Sequence, residues 1–158
     1  MNLCVICVGK LQEKYWVDAA NEYLKRLSRF GKAECVEIQD LKEPKGASDA
    51  DRERIKQKEG EMILHQIRPR DYVTALCIEG VKCTSTGLAA TLKDRYASGQ
   101  RQVFIIGGSL GLSDEVKNRA QQRLSMSDMT FPHQLARVML LEQLYRAEKI
   151  HAGEAYHK

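Results

Sequence analysis

Apolar residues follow two different repeats along this chain. Short runs such as Leu3-Cys4-Val5-Ile6-Cys7-Val8 and Val103-Phe104-Ile105-Ile106 are apolar at every position, as a strand covered on both faces requires. Between them, Trp16, Ala19, Ala20, Tyr23, Leu24 and Leu27 fall on one stripe at helical spacing. This pattern predicts strands over 2–8, 33–38, 72–78, 102–106 and 122–126, and helices over 12–29, 49–68, 86–97, 113–121 and 133–150. Ser48 and Asp51 form a capping box for the second helix, and Thr84-Ser85-Thr86 open the third. Strict alternation of strand and helix implies an α/β fold: a mostly parallel sheet with helices on both faces. No repeat or interdomain linker interrupts it, so residues 1–158 are expected to form a single domain.

The last helix departs from the amphipathic pattern. From Leu135 to Ile150, ten of sixteen residues are apolar and four run consecutively, so no single face carries them. Such a helix needs cover on two sides. In a chain this short the second cover is expected to be another subunit, a two-fold homodimer, with burial by the chain's own elements as the alternative. The stretch 40–61 is dense in both signs of charge and contains Pro44 and Gly46, which reads as a loop running into a solvated helix.

The strand 102–106 ends in Gly107-Gly108, followed by Ser109-Leu110-Gly111 and a helix start at Ser113-Asp114-Glu115. Paired glycines at the carboxyl end of a parallel strand let the backbone come close to a small molecule. About twenty residues on, Leu124-Ser125-Met126-Ser127-Asp128-Met129-Thr130-Phe131-Pro132-His133 again leads from strand through a polar loop into a helix. Two loops are thus placed to clasp one ligand. Nucleotide motifs do not account for them: the glycines at 107, 108 and 111 miss the dinucleotide spacing. The only Gly-Lys pairs, Gly9-Lys10 and Gly31-Lys32, lack the Ser or Thr of a phosphate loop.

At 158 residues and 43% hydrophobic composition, the chain suffices for one core. A net charge of +4 permits an RNA contact without announcing one. No leader or membrane-length apolar run is seen, so a cytoplasmic protein without membrane contact is expected. Five cysteines, an odd number, suit reduced thiols. Cys4-x-x-Cys7 has half the spacing of a zinc site, but residues three apart on a strand face opposite ways and no second pair matches, so no metal is expected.

Several of these segments together resemble one family. The Gly107-Gly108-Ser109-Leu110-Gly111 turn, the Leu124-Ser125 to Phe131-Pro132-His133 stretch, Tyr145-Arg146-Ala147, the terminal Tyr156-His157-Lys158 and the opening Val8-Gly9-Lys10-Leu11 with Lys14-Tyr15-Trp16 are similar to the ribosomal RNA large-subunit methyltransferase H family. The resemblance covers essentially the whole chain. It implies membership of the SPOUT superfamily, an α/β fold with a C-terminal trefoil knot, which periodicity alone does not reveal. It further implies a homodimer that uses S-adenosylmethionine to methylate N3 of a pseudouridine, position 1915, in 23S ribosomal RNA of the assembled ribosome. A transfer-RNA methyltransferase of the same fold and a non-catalytic RNA-binding module are the alternatives.

Carried over by position, the resemblance places the donor against Leu76, Gly107, Gly108 and the loop Met126, Ser127, Asp128, Met129, Thr130 and Phe131. Each also has a plain structural reading: Leu76 as core, Met126 and Met129 as gap fillers, and Ser127, Asp128 and Thr130 as turn formers. For the acceptor side the candidates are Arg137, Tyr156, His157 and Lys158. Arg137, on an apolar helix segment, suits phosphate or carbonyl binding, or an ion pair to Glu142 or a partner carboxylate. Tyr156 is expected to stack on or bond the base, His157 to accept or relay a proton, and Lys158 to neutralise phosphate. His133 follows Pro132, where it can serve the helix start or the chemistry. By general expectation for chain ends, residues 153–158 are disordered.

Overall fold

The computed structural model describes all 158 residues. Five strands alternate with five helices: β1 (Asn2–Val8), α1 (Lys14–Leu27), β2 (Lys32–Ile38), α2 (Asp49–His65), β3 (Tyr72–Lys82), α3 (Ser85–Tyr96), β4 (Gln102–Ile106), α4 (Asp114–Arg119), β5 (Gln122–Ser125) and α5 (His133–His151). The strands form one sheet in the order β2-β1-β4-β3-β5, every neighbouring pair parallel. The expected α/β class is therefore observed, with most boundaries within two or three residues of those read from the sequence.

Alternation along the central strands sends successive side chains to opposite faces. Leu3, Val5 and Cys7 of β1 and Phe104 and Ile106 of β4 join a core under α1, α3 and α5, where Leu27, Leu92, Leu140, Leu141 and Leu144 are fully buried. Cys4, Ile6 and Val8, with Val103 and Ile105, face the other way onto Ile63 of α2 and Val116 of α4. Cys4 and Cys7 thus lie in different cores, and no three His, Cys, Asp or Glu side chains are grouped to hold a metal ion. No helix is long and apolar enough to cross a membrane.

Two expectations are corrected in detail. β3 runs on to Lys82 instead of ending at 78, because residues 77–80 bulge out of the sheet: Leu76 and Val81 both pair with Leu124 of β5. The chain end is not left loose. Glu154 binds Arg29 and Lys149, and Tyr156 donates to Glu142 at 3.2 Å under the Arg146 guanidinium. α5 finds cover within its own chain for Leu140, Leu141, Leu144 and Ala147, between α1 and α3, while its outer residues Leu135, Val138, Met139 and Tyr145 stay half-buried.

The loop 40–47 leads into α2 as its charge pattern predicts, and both bonds of the Ser48–Asp51 capping box are made. α2 is solvated over most of its length but buries Glu59, Gly60 and Ile63. At the amino edge of the sheet, a buried Arg101 ties three strands together. It binds Asp71 before β3 at 2.5 Å and reaches Glu34 of β2 at 3.4 Å. Burial opposes ionisation of Asp71, but the hydrogen bonds from the Arg101 guanidinium and the Arg68 amide outweigh it and hold the carboxyl below the usual carboxylate range. Removing one partner of such a pair strands the other, so Asp71→Asn is expected to lower stability by about 3–5 kcal/mol at pH 7 in urea denaturation. Because the native pKa lies below the unfolded one, the wild-type advantage holds above the unfolded value of about 4 and shrinks as pH falls through the native value.

Candidate active site

A cavity of about 570 Å³ opens at the carboxyl ends of β3, β4 and β5. It is large enough for a nucleoside-sized ligand. Its wall has three parts: the turn after β4, the loop between β5 and α5, and the bulge of β3. All of the residues assigned to the donor except Asp128 line it: Leu76, Gly107, Gly108, Met126, Ser127, Met129, Thr130 and Phe131. The two loops read from the sequence thus share one cavity wall.

The first turn closes tightly. The Gly111 amide donates to the Gly108 carbonyl at 3.1 Å, and Gly111 has φ +82°, in the left-handed region that favours glycine. The glycine pair also answers to the protein's own packing. A Cβ on Gly107 would stand 3.0 Å from the Gly111 backbone and from the Leu112 side chain, and one on Gly108 would stand 3.1 Å from Val8. Both positions are thus crowded where the turn folds back on the protein, and a side chain at either would press its neighbours apart by a few tenths of an ångström.

The second loop is held by its own hydroxyls. Ser125 Oγ donates to the Ser127 carbonyl at 3.0 Å, and Ser127 Oγ accepts from the Met129 amide at 3.0 Å. Asp128 turns outward to Lys82 at 2.6 Å and does not reach the cavity wall. Pro132 sits at the N-cap of α5, so the helix starts at His133. Its fixed φ and missing amide suit that boundary. Pro132, His133 and Ala136 bring the helix start to the cavity wall without a side-chain cap for its first amides.

Sequence reasoning missed the third wall. Gly80 in the β3 bulge lies against the main chain of β5: a Cβ there would meet the Ser125 amide nitrogen at 2.6 Å and that of Leu124 at 2.7 Å. A lone glycine within a strand pattern, Cys77-Ile78-Glu79-Gly80-Val81, was the available signal. The bulge carries Ile78, 74% exposed, to the mouth of the cavity, where Met129 of the facing loop is 71% exposed. Glu79 lies between them in the wall, joined to Lys117 of α4 at 2.5 Å.

The acceptor-side candidates are not brought together in one chain. Arg137 is buried: its guanidinium donates to Glu37 at 2.7 Å and to the Gly9 carbonyl at 2.7 Å, while its Nε has no partner. Its acidic partner is Glu37, not Glu142, so it ties the loop after β1 to the first turns of α5. Glu142 is engaged by Arg146 at 2.5 Å and by Tyr156. Burial and the Glu142 carboxylate push the Tyr156 phenol up to about 12, so it remains a hydrogen-bond donor at neutral pH. His157 stands 3.4 Å from Arg146. Tyr156 lies at the level of Glu142, nine helical residues and roughly 14 Å along α5 from His133. Nothing in the tail lines the cavity.

The family model for "Predicted SPOUT methyltransferase" matches residues 1–157. The chain is 54% identical to the ribosomal RNA large subunit methyltransferase H of Clostridium novyi (strain NT) over the full length of both proteins. It is 53% identical, again end to end, to the protein of the same name from Bifidobacterium animalis subsp. lactis (strain AD011). Among solved structures, a probable methyltransferase from Bordetella pertussis Tohama I shares the fold, with a TM-score of 0.59 at 12% identity over 92% of this chain and 95% of that one. Gly80→Ala must part the β3 bulge from β5 and spoil the third wall. We expect calorimetry to show at least about tenfold weaker binding of S-adenosylmethionine to a variant that circular dichroism shows to be folded; unchanged affinity would place the ligand away from this wall.

Proposed function

The chain belongs to the SPOUT methyltransferase family, and from that membership we propose that it transfers a methyl group from S-adenosylmethionine to N3 of a pseudouridine in 23S ribosomal RNA on the assembled ribosome. The observation that carries this reading is the end-to-end identity of more than half with two proteins named as ribosomal RNA methyltransferases. The chemistry of the cavity fits such a donor. Leu76 and Phe131 offer apolar surface to a flat base, the loop from Met126 to Thr130 offers backbone groups to its edge, and the Gly107-Gly108 turn leaves main chain open beside a ribose.

A sulfonium donor brings its own leaving group, so the chain's task is alignment. Holding donor and acceptor in near-attack geometry supplies roughly 7–11 kcal/mol of such a barrier. In this reading Arg137 is a positioning residue: through Gly9 and Glu37 it fixes the loop after β1 against the helix that borders the cavity. Tyr156, His157 and Lys158 act on the acceptor as donor, proton relay and phosphate contact. Since the tail stops short of the cavity in its own chain, we assign it to the cavity of a second copy in a homodimer. Surface contacts of the kind that hold it here are worth about 0–1 kcal/mol each, so its release is cheap. The exposed Ile78 and Met129 at the mouth support cover by a partner or substrate. The trefoil knot belongs to the same proposal and rests on the family membership.

With labelled donor, the purified protein is expected to mark ribosomes, in the large-subunit RNA. Label in transfer RNA alone would overturn the substrate, and no label in any acceptor would favour an RNA-binding module. Truncation after Gly153 is expected to leave donor affinity within about twofold and to abolish turnover. Mixing that truncation with Gly80→Ala restores activity if the tail acts across the dimer, and restores none if each tail serves its own cavity.

A further inference from the structure

Besides His133 and the Cys77 thiol, the ionisable side chains in the cavity wall are one carboxylate and one ammonium, Glu79 and Lys117. They come from different elements, Glu79 from the β3 bulge and Lys117 from α4, and meet at 2.5 Å. Lys117 is the more enclosed, with 21% of its side chain exposed against 49% for Glu79. The hydrogen bond from Lys117 holds the Glu79 carboxyl below the usual range, so this carboxylate is ionised at neutral pH.

The reading of this cavity as a donor site has a consequence for that pair. The amino-acid end of S-adenosylmethionine is a zwitterion, one carboxylate and one ammonium on the same carbon. A wall with a single acid and a single base matches it head to tail, with four charges of alternating sign in a ring. We propose that Glu79 and Lys117 are the specificity residues for the donor's amino-acid end, Lys117 receiving the carboxylate and Glu79 the ammonium. Each charge then has an opposite charge on either side, and none is stranded. Charge-assisted bonds of this kind are the strong ones and fix orientation as well as affinity. The methyl-bearing sulfur is thereby set at a fixed distance from the wall. The Glu79–Lys117 bond also bridges the β3 bulge to α4, a purely structural role that the test must separate.

Three ligands do so: S-adenosylmethionine, its decarboxylated form, which keeps the sulfonium and the ammonium, and 5′-methylthioadenosine, which lacks the amino-acid end. Calorimetry on the intact protein is expected to show Lys117→Met binding S-adenosylmethionine about tenfold more weakly, with the decarboxylated form unchanged or tighter. Glu79→Gln weakens both amino-bearing ligands by about tenfold, and neither variant changes affinity for 5′-methylthioadenosine. Equal loss for all three ligands would reduce the pair to a strap on the bulge and overturn the proposal. No change in either variant would hand the carboxylate to the first amides of α5 and overturn it as well. If the wild-type protein binds none of the three, the donor reading itself falls and takes this assignment with it.

Discussion

Gly80 lies against the backbone of Leu124 and Ser125 at a separation that leaves no room for any side chain. The whole site depends on that approach. Because the β3 bulge presses on β5 there, both Leu76 and Val81 pair with Leu124, and residues 77–80 stand out beside the strand that feeds the second loop. The bulge thereby becomes the third side of a cavity that would otherwise be an open cleft between two turns. It also puts Glu79 within reach of Lys117 and Ile78 opposite Met129.

Around this contact the rest of the fold acts as a rigid frame. Central strands apolar on both faces draw three helices to one side and two to the other, and the Arg101–Asp71 pair locks the edge of the sheet opposite the cavity. Loops at the carboxyl edge are then free to carry function, as loops on a rigid scaffold commonly do. Arg137 joins the two halves of this edge, fastening the loop after β1 to the helix whose start borders the donor wall. A buried guanidinium with two ionic or carbonyl partners is poorly placed to meet RNA and well placed to hold geometry.

Strand and helix order were legible in the sequence because the apolar periods differ so sharply between Val103-Phe104-Ile105-Ile106 and the Trp16–Leu27 stripe. The two loops were legible from Gly107-Gly108 and from the polar run ending at Pro132, and nearly all their assigned residues do meet in one wall. What escaped was tertiary. The crowding at Gly107 and Gly108 comes from Leu112, Gly111 and Val8, and the pairing that turns Asp128 outward comes from Lys82, 46 residues earlier. The partner of Arg137 is 100 residues away, on a strand no local pattern links to it. The ordered tail escaped for the same reason: Arg29, which holds Glu154, is 125 residues from it.

In the proposed function a methyl donor lies between the turn after β4, the loop after β5 and the bulge of β3. Crystals grown with S-adenosylhomocysteine, the product that remains after transfer, test it most directly. The account predicts density for the nucleoside between Gly107-Gly108 and Met126–Phe131, in contact with Leu76. Density instead in the smaller cleft beside Cys83, Met139 and Gln143, or an unchanged cavity at saturating ligand, would contradict it.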